Sequence, residues 1–134
     1  MARPYRIQFK GACYHVIIRG NPEIRLFKNE RDRNRFIEML ADAVGKHEVL
    51  LHAFFLSANR VELVVETPSS NLSAFLQGCQ TAYAQYYRKK YNFVGQIVHD
   101  RFRSKVIQKE KILLPLTRHL HLLGVSERNN EQSA

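Results

Sequence analysis

Asn59-Arg60-Val61-Glu62 is the stretch of this 134-residue chain best suited to chemistry. It lies between an apolar run, Leu50 to Leu56, and an alternating run that ends Leu63-Val64-Val65-Glu66-Thr67. Ser57-Ala58-Asn59 reads as a short polar turn joining two strands. Side chains of a strand point alternately to its two faces. Arg60, Glu62, Val64 and Glu66 therefore share one face, and Val61, Leu63 and Val65 share the other. The second set is a core face. The first set opens with a cation and a carboxylate just past the turn, where a hairpin would show them to a ligand.

The remaining groups that could ligate or attack are scattered. His119 and His121 stand two apart on a predicted helix, about 200° around its axis, so they cannot chelate one ion together. Glu62 and Glu66 share a face but lie roughly 13 Å apart along the strand. Glu62 with His52 and His119 is a conceivable ligand set in three dimensions; the plainer reading is a packed His52 and an interfacial His119. Tyr86 and Tyr87 are candidate nucleophiles, and equally candidates for packing their own helix. Cys13 and Cys79 are far apart with no C-x-x-C spacing. They read as buried free thiols and exclude a cysteine-built zinc site.

Charge narrows the partners. Lys and Arg total 21 against 12 Asp and Glu, a formal net charge of +9. Such an excess favours polyanions, nucleic acid first. The cations fall in groups. Arg3 and Arg6 stand in a basic N-terminal arm with Lys10. Arg19 and Asn21 follow the first strand. Lys89 and Lys90 sit in the basic aromatic cluster Tyr87-Arg88-Lys89-Lys90-Tyr91-Asn92, which suits phosphates and stacked bases, or else complements a helix dipole. Arg101, Arg103 and Lys105 alternate with Phe102 and Val106. They would form a phosphate track along one strand face, or the charged defence of an edge strand. Contacts of this kind give affinity but little sequence information. No apolar run approaches the ~18 residues of a membrane span, and no signal-peptide segment follows the basic start. The expected setting is cytoplasmic, with no membrane partner.

These residues need elements to hold them. Apolar residues at 45% and charged residues at 25% are ordinary globular values, and the length suits one domain. Residues 1–125 are expected to form it, with 126–134 a disordered tail. Gly11 to Arg19 reads as a strand ended by Gly20-Asn21-Pro22. Asn29 or Asp32 would cap a helix running to about Lys46, built on Phe36, Leu40, Ala43, Val44 and His47, with Gly45 helping to stop it. Its outer face, Arg31, Arg33, Arg35, Glu38 and Asp42, has mixed signs and reads as solvated. Asn71 would cap a second helix with a buried stripe of Leu72, Phe75, Leu76, Cys79, Tyr83 and Tyr86. A strand over 101–108 and a helix over 112–123 complete the chain, with Pro115 in the helix's first turn or kinking it. The order predicts an α+β, ferredoxin-like βαββαβ fold, a four-stranded antiparallel sheet with two helices on one face and an additional C-terminal helix.

The chain also resembles a known family. Met1-Ala2-Arg3-Pro4, Gly11-Ala12, Tyr14-His15-Val16 and Arg19-Gly20-Asn21 are similar to the start of the REP-associated tyrosine transposases, members of the single-tyrosine HUH superfamily. Matching blocks continue through Phe27, Phe36, His52-Ala53, Asn59, Val65-Glu66-Thr67-Pro68, Asn71-Leu72-Ser73, Tyr83, Gln85-Tyr86, Gly95 and Arg101-Phe102. The resemblance covers roughly residues 1–123 and implies a ferredoxin-like core that binds single-stranded or hairpin DNA; the charge by itself leaves RNA open as an alternative.

It also implies a chemistry. In the family, a His-hydrophobic-His strand and a polar residue on the last helix hold Mg²⁺ or Mn²⁺. A tyrosine one turn before that residue attacks a DNA phosphate. Here the strand positions are Arg60 and Glu62, and the last helix reads His119-Leu120-His121-Leu122-Leu123-Gly124. His119 replaces the tyrosine and Leu123 the metal-ligand asparagine. Arg60 is a permanent cation with no lone pair to offer. The implied reading is a catalytically inactive, nucleic-acid-binding relative with no cofactor. A rebuilt single-strand endonuclease and a protein-interaction module, including a homodimer, are the alternatives.

Overall fold

Aromatic and β-branched residues alternate from Ala12 onward, and the first strand forms there. The structure is a computed structural model, and it describes residues 11–99 and 102–107. Its elements are β1 (Ala12–Arg19), α1 (Glu30–His47), β2 (Leu50–Leu56), β3 (Arg60–Thr67), α2 (Leu72–Tyr91) and β4 (Arg103–Ile107). The strands form one antiparallel sheet in the order β2-β3-β1-β4. This is the expected α+β, βαββαβ arrangement. The basic arm, the helix expected over 112–123 and the tail 126–134 lie outside the described residues.

The period-two reading of β3 holds. Val61, Leu63 and Val65 are fully buried, and with Tyr14, Val16 and Ile18 of β1 they meet α1 and α2 in the main core. Phe27, Phe36 and Tyr83 lock the helix layer through ring contacts of 5.3–5.5 Å between centroids. The Tyr83 hydroxyl donates to the Leu26 carbonyl at 2.6 Å, so this aromatic cluster also pins the loop before α1. The opposite sheet face carries Cys13, His15, Ile17 and Arg19 of β1, Arg60, Glu62, Val64 and Glu66 of β3, and Arg103, Lys105 and Ile107 of β4. A small cluster of Cys13, Phe55, Val64 and Ile107 lies at one end of that face.

Several local expectations are corrected. Gly45 does not end α1. The helix passes through it and stops at Glu48, which is left-handed (φ 53°) and donates its N–H to the Val44 carbonyl. The turn must fall there because the next residue, Val49, is buried. Asn29, not Asp32, is the N-cap: its side chain accepts from the Asp32 N–H at 3.0 Å. Asn71 stands at the N-cap of α2 but gives no side-chain cap; its amide donates to the His47 carbonyl at 2.8 Å and ties α2 to the end of α1. The buried stripe of α2 ends on Tyr87 rather than Tyr86. From Tyr83 the inward position recurs four residues on, so Tyr87 is fully buried and Tyr86 turns aside toward α1.

Candidate nucleic-acid interface

Asn59 fixes the end of the sheet where the charges gather. Its Oδ1 accepts from the Leu26 N–H at 3.2 Å, and its Nδ2 donates to the carbonyls of Gly20 (3.3 Å) and Asn21 (3.2 Å). One side chain thus joins the β2–β3 turn to the loop after β1. The fit requires glycine at position 20, where an added Cβ would lie 2.3 Å from Asn59 Oδ1. The Gly20 N–H also donates to the Asn59 carbonyl at 2.8 Å, closing the β1–β3 ladder.

On the face beside this junction, Glu62 is the centre of a network. Its Oε2 lies 3.0 Å from Arg60 Nη2 along β3. Its Oε1 lies 2.9 Å from His15 Nε2 on β1. Glu62 is nearly buried, whereas the Arg60 side chain is 44% exposed and its guanidinium lies over the Phe55 ring, 5.8 Å from the centroid. Arg19 is the direct cross-strand partner of Arg60, and Lys105 that of His15. Arg103 is paired with Ile17, in the same row as Glu62. Arg19, Arg103 and Lys105 are exposed. Arg60 and His15 thus contact the Glu62 carboxylate, and Arg19, Arg103 and Lys105 stand on the same sheet face. The sequence offers His15 only as part of the motif block Tyr14-His15-Val16. Its alternation with buried Tyr14 and Val16 marks it as outward-facing, but only the register places it against Glu62.

Other expected contacts are arranged differently. Lys90 is exposed but committed to an ion pair: its Nζ lies 2.7 Å from Oδ1 of Asp32, a fully buried carboxylate at the start of α1. Asp32 also accepts from the hydroxyls of Tyr86 (2.8 Å) and Tyr91 and from the Lys28 N–H at 3.1 Å. Burial pushes the Asp32 carboxyl up, but the hydrogen bonds from Lys90, Tyr91, Tyr86 and Lys28 outweigh it and hold the group below its ordinary range. Asp32 in turn raises the Lys90 ammonium. Tyr86 and Tyr87 serve this packing, and burial followed by the Asp32 charge raises the Tyr87 phenol. Lys89 stays exposed. Asn21 is occupied within its loop, donating to the Gln96 carbonyl at 2.9 Å and accepting from the Glu23 N–H at 2.9 Å. Arg3, Arg6, Arg101, His119 and Leu123 lie outside the described residues.

Comparison with known proteins places this geometry. The model of the family described as "Transposase IS200 like" matches residues 8–111. The chain belongs to the IS200-like transposase family. This transposase-family chain also has the fold of a REP-associated tyrosine transposase solved bound to a REP hairpin. The TM-score is 0.77 at 12% identity, covering 94% of this chain and 74% of that one. A candidate transposase from Deinococcus radiodurans R1 is similar at TM-score 0.59 and 15% identity, covering 87% of this chain and 92% of that one. No curated protein matches. The transposase resemblance read from the short motifs is thus borne out by the family match, and the fold is shared with a REP-associated tyrosine transposase. No helix among the described residues is long and apolar enough to cross a membrane.

The metal implied by the resemblance can be tested against the residues of the transposase-family site. They do not fit it. Arg60 offers no lone pair, and both Glu62 oxygens already face cationic or hydrogen-bonding partners, Arg60 and His15. His52 lies at a bulge in β2 and pairs with Glu66 at 3.1 Å, not with Glu62. Among the described residues no three His, Cys, Asp or Glu side chains gather into a site for a metal ion.

Proposed function

We propose that this chain is a DNA-binding member of the transposase family that no longer cleaves strands, with single-stranded or hairpin DNA as its ligand. One observation carries the reading. The Arg60 guanidinium, 3.0 Å from Glu62, stands on β3 where the resemblance puts the first metal-binding histidine. An arginine there keeps a positive charge for a phosphate but supplies no Lewis acid. Without a metal, a phenol with a pKa of about 10 is a poor nucleophile at neutral pH. The replacement of that tyrosine by His119, and of the ligand position by Leu123, points the same way. No cofactor is required in this reading.

Arg19, Arg60, Arg103 and Lys105 provide the phosphate contacts on the sheet, and Lys89, Arg3, Arg6 and Arg101 extend them. The REP hairpin held by the similarly folded transposase supports a hairpin ligand. The test is incubation of the full chain with hairpin-bearing single-stranded DNA and Mn²⁺. The expected result is a retarded complex that denaturant dissolves completely. A covalent protein–DNA adduct would overturn the loss of cleavage. No shift even at low salt would overturn DNA binding and favour a protein partner or a second copy.

A further inference from the structure

Arg19 and Arg60 are Cα partners at the last position of the β1–β3 ladder. Their side chains leave the same face, with Cβ atoms roughly 5 Å apart. Like charges directly opposite on antiparallel strands repel, so the pair is unfavourable unless an anion lies between them. Glu62 answers only one of the two. It sits opposite Ile17, reaches Arg60 at 3.0 Å, and is shared with His15. Arg19 is exposed, with no side-chain partner among the described residues. Arg60 retains donors, because a guanidinium carries five N–H groups in a rigid fork and Glu62 engages one of its nitrogens. The backbones beneath both residues are held by the Asn59 junction, which fixes their spacing.

We propose that Arg19 and Arg60 form a two-pronged site for a single phosphate group of a nucleic-acid strand, with Glu62 positioning Arg60. The proposal rests on the DNA-binding reading above and specifies its central contact. Two forks carried at paired positions on one sheet face suit one phosphate, whose oxygens accept from both once the Arg60 guanidinium swings off the Phe55 ring. Arg103 and Lys105, farther along the same face, would meet neighbouring phosphates.

A double-mutant cycle tests it. Fluorescence anisotropy with a labelled single-stranded oligonucleotide would be recorded over a salt series for the wild-type chain, Arg19→Ala, Arg60→Ala, the double variant and Lys89→Ala. Each arginine variant is expected to bind about tenfold weaker, and the double variant only about as weakly as either single one. The salt slope should fall by about one in all three, because one phosphate contact is lost. Lys89→Ala should combine with Arg60→Ala multiplicatively. Fully multiplicative losses for Arg19 and Arg60 would overturn the shared site. Arg19→Lys and Arg60→Lys guard against misfolding; they should keep the salt slope and bind several-fold weaker, and wild-type affinity in both would overturn the fork. If the wild-type chain binds no oligonucleotide at low salt, the failure lies with the DNA-binding reading itself.

Discussion

His15 Nε2 and Glu62 Oε1 lie 2.9 Å apart across the β1–β3 ladder, and the other Glu62 oxygen faces Arg60. A carboxylate thus stands at the centre of a cationic surface. It repels an incoming phosphate while it steadies the groups that would bind one. Glu62→Gln keeps an acceptor for Arg60 and removes the charge. Single-strand affinity should rise several-fold at low salt, and the gain should shrink as screening increases. Anisotropy titrations at two ionic strengths check this.

The two histidines implied by the family resemblance can be introduced at Arg60 and Glu62. Arg60 and Glu62 share one face at alternate positions of β3. Arg60→His with Glu62→His would place two imidazoles there, within roughly 7 Å of each other along the strand and beside His15. The double variant should bind Ni²⁺ in calorimetric titration where the wild-type chain shows no heat.

Asp32 joins the start of α1 to the end of α2 by accepting from Lys90, Tyr86 and Tyr91. Asp32→Asn should destabilise the fold by about 2–3 kcal/mol at neutral pH, since hydrogen bonds to a buried charge are lost. The folded-state carboxyl is held below the ordinary value of 3.8 by its hydrogen bonds. Its stabilisation is therefore complete above that value and is lost as pH falls through the lower folded one. Urea midpoints of the wild-type and Asp32→Asn chains should differ at pH 7, still differ fully at about pH 5, and converge only as the pH falls below 3.8.

Gly20→Ala would drive a methyl group to 2.3 Å from Asn59 Oδ1. The Asn59 side chain must then leave its three backbone partners. A loss of about 1–3 kcal/mol follows, seen as a lower thermal midpoint, and oligonucleotide binding should weaken with it because the Arg19 and Arg60 backbones lose their tie.

Cys79 is buried, and burial pushes its thiol up to about 12. Cys13 is buried as well. Neither should react with a thiol-specific reagent at pH 8 in the native state, and both should react once the chain is unfolded. Ellman titration with and without denaturant measures the difference.

Two kinds of information shaped these conclusions. Alternation along β3 already divided Arg60, Glu62 and Glu66 from Val61, Leu63 and Val65, and alternation along β4 put Arg103 with Lys105. Helical spacing placed α1 and α2 and most of their inward residues. It missed Tyr87 in favour of Tyr86 because neighbouring positions near a helix end differ little in periodicity. The cation excess and the motif blocks pointed to the transposase family without any coordinates.

What the tertiary structure alone decided were pairings between residues far apart in the chain. Lys90 meets Asp32 across 58 positions, so a surface lysine is tied to a buried carboxylate. His15 meets Glu62 across 47, and Arg19 meets Arg60, because the β1–β3 register sets them side by side. Local pattern says which face a side chain takes, since that depends only on the backbone period. It does not say which strand lies alongside or at what offset, which depends on how the whole core packs. The sequence by itself therefore set Arg60 and Glu62 at the positions where the family resemblance implies metal-binding histidines. Only the fold showed them joined to His15 and faced by Arg19.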